Sequence, residues 1–99
     1  MKASFFALSA TADITDQKFH LLAYYISGTF KDGMLVRFRP DQRLGRTFLL
    51  HSIEYNALFS RSERRPVYDL TITCESLEET EFLHALRIEN EEFELVNNS

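Results

Sequence analysis

Seven of the eight arginines are the residues best suited to do chemistry in this chain. Arg37 and Arg39 lie two apart in an apolar run, so a strand would carry them on one face. Arg43 and Arg46 follow in the segment PDQRLGR, and Arg61, Arg64 and Arg65 stand in a second polar stretch. A guanidinium stays charged and presents a planar fork of donors that matches phosphate or carboxylate. If both stretches emerge at one end of the fold, the seven form an anion-binding surface for RNA or a carboxylate-rich partner. Tyr55 and Phe59 are the aromatic candidates for base stacking. The alternative is internal. The formal net charge is −4, yet residues 31–66 carry net +4 and residues 67–99 net −8, so a basic middle can neutralise an acidic tail.

Other chemically capable residues are less suggestive. His20, His51 and His84 lack the short spacing of a metal set and read as solvated or hydrogen-bonded histidines. Cys74 is the single cysteine, which excludes an internal disulfide and fits a reducing, cytoplasmic setting. It alternates with Leu70 and Ile72, so it reads as core rather than as a nucleophile. The carboxylates of 75–81 and 89–94 read as a solvated face, the first group placed to cap a helix. No catalytic residue, cofactor or metal ligand is expected.

The elements that must position these residues are mostly strands. At 99 residues the chain is one domain, 1–99, large enough to bury a single core. Nine Phe and four Tyr without Trp favour pleated surfaces. The N-terminal run after Lys2 is short and broken by Ser4 and Ser9, so it reads as a first strand over 4–12 rather than an export signal. In it Phe6, Leu8, Ala10 and Ala12 share one side, and Phe5, Ala7, Ser9 and Thr11 the other. DITDQ is a turn. Strand two, 19–26, is apolar on both faces, as in a closed barrel or beneath a second layer. Strand three covers 34–39, with Met34, Val36 and Phe38 inward, and Pro40 ends its ladder. Strand four covers 47–55. The segment NALFSRSERRP reads as a polar, basic loop whose pair Leu58 and Phe59 packs back on the barrel. In strand five, 67–74, Tyr68, Leu70, Ile72 and Cys74 alternate with Asp69, Thr71 and Thr73. Ser76 and Glu79 form a capping box that starts a helix over 76–86 with an apolar face of Leu77, Thr80, Phe82, Leu83 and Leu86. A closing strand covers 93–96. No run of about 18 apolar residues is present to cross a membrane.

The whole pattern turns on residues 19–38, in which Gly28 and Gly33 bracket a bent connection between two apolar strands. The run ISGTFKDGMLVRF resembles the second-domain β-barrel of elongation factor Tu and its relatives, with Gly28, Phe30, Gly33, Val36 and Phe38 at the matching positions. HSIEYN resembles the family's next strand and RRPVYDLTI the one after, so the likeness covers residues 19–73. DITDQKF stands where the family has a basic, Gly-rich segment, and the helix over 76–86 falls where it has a short connection. No phosphate loop of the form GxxxxGK followed by Ser or Thr is present, so the resemblance implies a stand-alone barrel without nucleotide hydrolysis.

The expectation is an all-β fold, a small closed Greek-key barrel of about six strands with one short helix near the C-terminus. Its expected role is a non-enzymatic binding module of the translation-factor type. That module would dock on a protein or ribonucleoprotein partner through Arg37, Arg39, Arg43, Arg46, Arg61, Arg64 and Arg65, with no membrane involved. The alternatives are a barrel whose arginine-lined mouth takes a small anionic ligand, as binder or enzyme, and a subunit that self-associates through an uncovered strand edge. The oligomeric state is not set by the sequence.

Overall fold

Period-2 alternation along six strands closes a sheet on itself. The computed structural model describes residues 1–38 and 47–98. Strands β1 (Lys2–Asp13), β2 (Lys18–Gly28), β3 (Leu35–Phe38), β4 (Phe48–Tyr55), β5 (Val67–Thr73) and β6 (Glu92–Val96) form a closed antiparallel barrel in the order β1-β2-β5-β4-β3-β6. Two short helices interrupt the strands: α1 (Ala57–Glu63) precedes β5 and α2 (Leu77–Ala85) follows it. The expected six-stranded barrel is therefore present, whereas the expectation of a single helix is corrected, because a helix stands where a loop was read. The sequence-read loop over 40–46 lies outside the described residues. Among the described residues, no helix is long and apolar enough to cross a membrane.

Phenylalanines fill the interior. Phe5 is fully buried and meets four rings: edge-on to Tyr25, Phe30 and Tyr68, and stacked on Phe93 at 5.7 Å. Phe93 continues to Phe38, and Phe38 to Phe48, so an aromatic chain crosses the barrel. Leu21, Val36, Leu70, Ile72 and Leu95 pack around it. Edge-to-face and offset pairs add directional preference to area burial.

Three bulges make closure possible. Leu8, Ile26 and His51 are each an extra residue against the partner strand, at the register breaks of β1 with β2 and of β4 with β5. An extra residue bends its strand and strengthens its twist. It also flips the faces. Ala3, Phe5 and Ala7 are buried before Leu8, while Ala10 and Ala12 pack against the core after it and Ser9 and Thr11 are exposed. Neither side of the alternation read from the sequence is thus the inner one throughout.

Turns and helices seal the ends. Asp16 donates its N–H to the Asp13 carboxylate at 3.1 Å, closing the turn expected between β1 and β2. Where β2 stops, Phe30 folds over Phe5, Tyr25 and Tyr68. At the opposite end α2 lies across β1 and β2 and buries Leu83, with Ile88 following it into the core. Ser76 caps α2 by accepting the Glu79 N–H at 3.2 Å, and Glu79 reaches back to the Glu75 N–H, so the expected capping box forms. Leu77, expected on the apolar face, is exposed instead, because Thr80 and Leu83 set the face that turns inward. Asn90 then donates to the Ala7 carbonyl and Ala7 to that of Glu91, which ties the return chain to β1.

The two glycines of the β2–β3 connection differ in what surrounds them. Gly28 has φ +96°, and a Cβ there would stand 2.1 Å from the Lys2 carbonyl oxygen. Gly33 has φ +84° with open space around it. Gly28→Ala is expected to cost roughly 3 kcal/mol or more, a clash with fixed backbone added to strain. Gly33→Ala should cost only about 1–2 kcal/mol, from strain alone. Urea unfolding of both variants checks this, and equal losses would contradict it.

Candidate functional site

The site begins with Asn56. Its side chain accepts the Phe59 N–H at 3.0 Å, which starts α1, and donates to the Asp69 carboxylate of β5 at 2.9 Å. One turn on, the buried Ser60 hydroxyl accepts the Val67 N–H at 2.8 Å and lies 3.3 Å from the Val67 carbonyl. Val67 is itself fully buried beneath the helix rather than in the barrel core. Arg64 ends the helix in the left-handed region at φ 59°, and its N–H and that of Arg65 both return to the Ser60 carbonyl. Seven residues of helix are far too short to persist alone, so these contacts with β5 hold it. The sequence signal was Asn56 as a cap followed by helix-compatible residues up to Pro66.

This anchoring leaves an exposed corner. Tyr55 is 59 % exposed, Leu58 73 % and Phe59 43 %, so the expectation that Leu58 and Phe59 pack back on the barrel is not met for Leu58. Phe59 reaches partway, lining an open cleft with Leu22, His20, Asp69, Ser9 and Thr11. Arg61, Arg64 and Arg65 follow in the last turn and just past the helix and are all exposed. Arg65 lies over the Tyr24 ring, 3.7 Å from its centroid, and that ring stacks on Phe6 at 5.0 Å. On the outer face of β2, a strand read as apolar on both faces, Tyr24 is thus covered by Arg65 of the α1 connection. An arginine on a ring face is attracted by the ring's quadrupole, which holds its direction.

The other sequence-predicted arginines are not gathered there. Arg37 stands on β3 and pairs with Glu94 of β6, which also holds Lys2 at 3.1 Å. β6 faces β5 across the six-strand ring. Arg39, Arg43 and Arg46 lie outside the described residues. The flanking residues Phe38 and Phe48 sit at the end of the barrel away from α1, since β3 ends where β6 begins and β4 ends where β5 begins. The condition for a seven-arginine cluster is therefore not met by the described four. Arg37 with Glu94 is one pairing of the basic middle with the acidic tail, whereas Arg61 and Arg64 form none with it among the described residues.

The remaining candidates resolve simply. His20, His51 and His84 are exposed and apart, with the His20 Nδ1 at 3.3 Å from the Thr71 hydroxyl. Among the described residues no cluster of three His, Cys, Asp or Glu side chains is placed to hold a metal. Cys74 is buried, and that burial raises its thiol pKa against a smaller opposing hydrogen bond with Thr80. A thiol held protonated is a core residue rather than a nucleophile.

Glu94 carries a pH dependence. Its carboxyl is held below the ordinary glutamate range, first by the hydrogen bond from Arg37 and then by Lys2, against some desolvation. A carboxylate depressed in the fold stabilises the protein above its unfolded pKa, and that stabilisation is lost as pH falls through the folded value. Glu94→Gln should therefore lower the urea midpoint at about pH 7, and the deficit should shrink as the pH falls below the ordinary glutamate range. A deficit that persists undiminished at acid pH would contradict the assignment.

In comparisons with known proteins, the chain matches no family model, no curated protein and no solved structure.

Proposed function

We propose that this protein is a non-enzymatic binding module, a barrel of the translation-factor type that docks on another macromolecule through the α1 corner. The order β5-β4-β3-β6, in which three consecutive strands are followed by one that returns beside the first, supports the Greek-key form of that reading. Its single cysteine, kept inert by burial, suits a cytoplasmic module.

The observation that carries the proposal is Leu58, exposed on a pinned helix beside Tyr55 and Phe59, with Arg61 and Arg64 exposed toward the end of the same helix. Tyrosine and arginine are enriched among residues that dominate binding energy at interfaces, and an aliphatic anchor seats in an apolar pocket. A branched aliphatic has little to gain from a phosphate backbone. The corner therefore fits a protein surface with an apolar pocket and a carboxylate rim better than bare RNA. The alternative of a small anion in an arginine-lined mouth has less behind it. Phe30 fills the barrel end next to α1, and the charged wall of the cleft beside Phe59 is Asp69, a carboxylate.

Capture of partners from host lysate, with and without RNase, tests the reading. Wild-type protein should retain a protein partner after RNase treatment and release it as salt is raised. Leu58→Glu and the pair Arg61→Glu with Arg64→Glu should each abolish capture. Because these side chains are exposed, the variants should change stability by no more than about 0.5 kcal/mol. Capture lost only on RNase treatment would move the function to RNA. Capture unaffected by either variant would remove the corner from the account.

A further inference from the structure

The exposed arginines of the α1 connection and the exposed acids around α2 lie at different ends of the barrel. The basic residues Arg61, Arg64 and Arg65 stand at the barrel end where β5 begins. The exposed acids Glu75, Glu78, Glu81, Glu89 and Glu91 stand at the other end, on α2 and the turns that flank it, with Arg87 among them. Among the described residues no ion pair joins the two groups. At the acidic end, where α2 crosses β1, lies an apolar groove of about 270 Å³. Ala10, Ala12 and Ile14 contribute its apolar lining, with Ile14 itself 57 % exposed, and Glu81 and His84 line its α2 side.

We propose that the groove receives the α1 corner of a second copy of this chain, with Leu58 seated on Ala10, Ala12 and Ile14 and Arg61 paired with Glu81. This rests on the docking reading of α1 given above and names its partner. The fit is one of spacing as well as charge. Leu58 and Arg61 are three residues apart and share a helix face; Glu81 and His84 share a face in the same way along the groove. Complementary potentials steer such an encounter and fix its register. Knob and groove are different surfaces of one barrel, so the contact is head-to-tail. Each added copy leaves a free corner and a free groove, and association continues into open chains unless the rotation closes a ring.

Sedimentation velocity over a concentration series tests this, using wild-type protein, Leu58→Glu, Arg61→Glu, Glu81→Arg and the double variant Arg61→Glu with Glu81→Arg. Far-UV circular dichroism checks that each remains folded. At low salt the wild-type mass should grow with concentration beyond a dimer, and high salt should reverse it. Leu58→Glu and each single charge change should weaken association by roughly tenfold or more, as loss of an anchor residue does. The double variant, with both charges exchanged, should recover it. Three results overturn the proposal: wild-type protein that stays monomeric, association that ignores Leu58, or a charge exchange that restores nothing. A monomeric wild type that still captures a lysate protein in a Leu58-dependent way overturns self-association and leaves the docking reading intact. Loss of both overturns the two together.

Discussion

Phe5 is the contact on which the barrel depends. It is fully buried near the start of β1, and its ring touches residues from the end of β2, the β2–β3 connection, β5 and β6. Those partners are distant in sequence, so the chain must bring both termini and its middle together before the aromatic cluster forms. Dense interiors tolerate little change in volume. The same cluster lets Phe30 close one end of the barrel and brings Tyr68 of β5 into register. Val67, one residue earlier on β5, then presents its backbone to Ser60. The placement of α1 thus follows from core packing rather than from helix propensity.

Rigid placement gives the exposed corner its meaning. A leucine exposed on a flexible loop would rearrange, whereas Leu58 sits two residues past Asn56 and two before Ser60, and both are bonded to β5. Arg65 is held against Tyr24, which leaves Arg61 and Arg64 as the outward charges of the helix. Around the ring, Lys2, Arg37 and Glu94 form a self-satisfied group across β1, β6 and β3. That group commits Arg37 to a wall of the barrel away from the α1 corner.

What could be read from the sequence was local. The alternation of Leu70, Ile72 and Cys74 along and just past β5 and the pair Ser76 and Glu79 at α2 involve neighbours a few residues apart, and both stand in the fold as read. The bulges at Leu8, Ile26 and His51 were not legible, because a bulge is defined by the partner strand and leaves no mark in its own residue types. Helix α1 was read as a loop because the groups that stabilise it, the Val67 backbone and Asp69, act from β5. For the same reason the pairing of Arg37 with Glu94, 57 residues apart, was hidden, and arginines alike in sequence proved to serve different walls of the barrel. At the corner, Arg61, Arg64 and Arg65 were singled out in advance, but the outward direction of Leu58 was not.

Amide hydrogen exchange of the protein alone and in its captured complex tests the central claim most directly. Docking through the α1 corner predicts slowed exchange across residues 55–65 on complex formation, with the wall of β3 and β6 unchanged. Protection confined to that wall, with residues 55–65 exchanging as in the free protein, would contradict it.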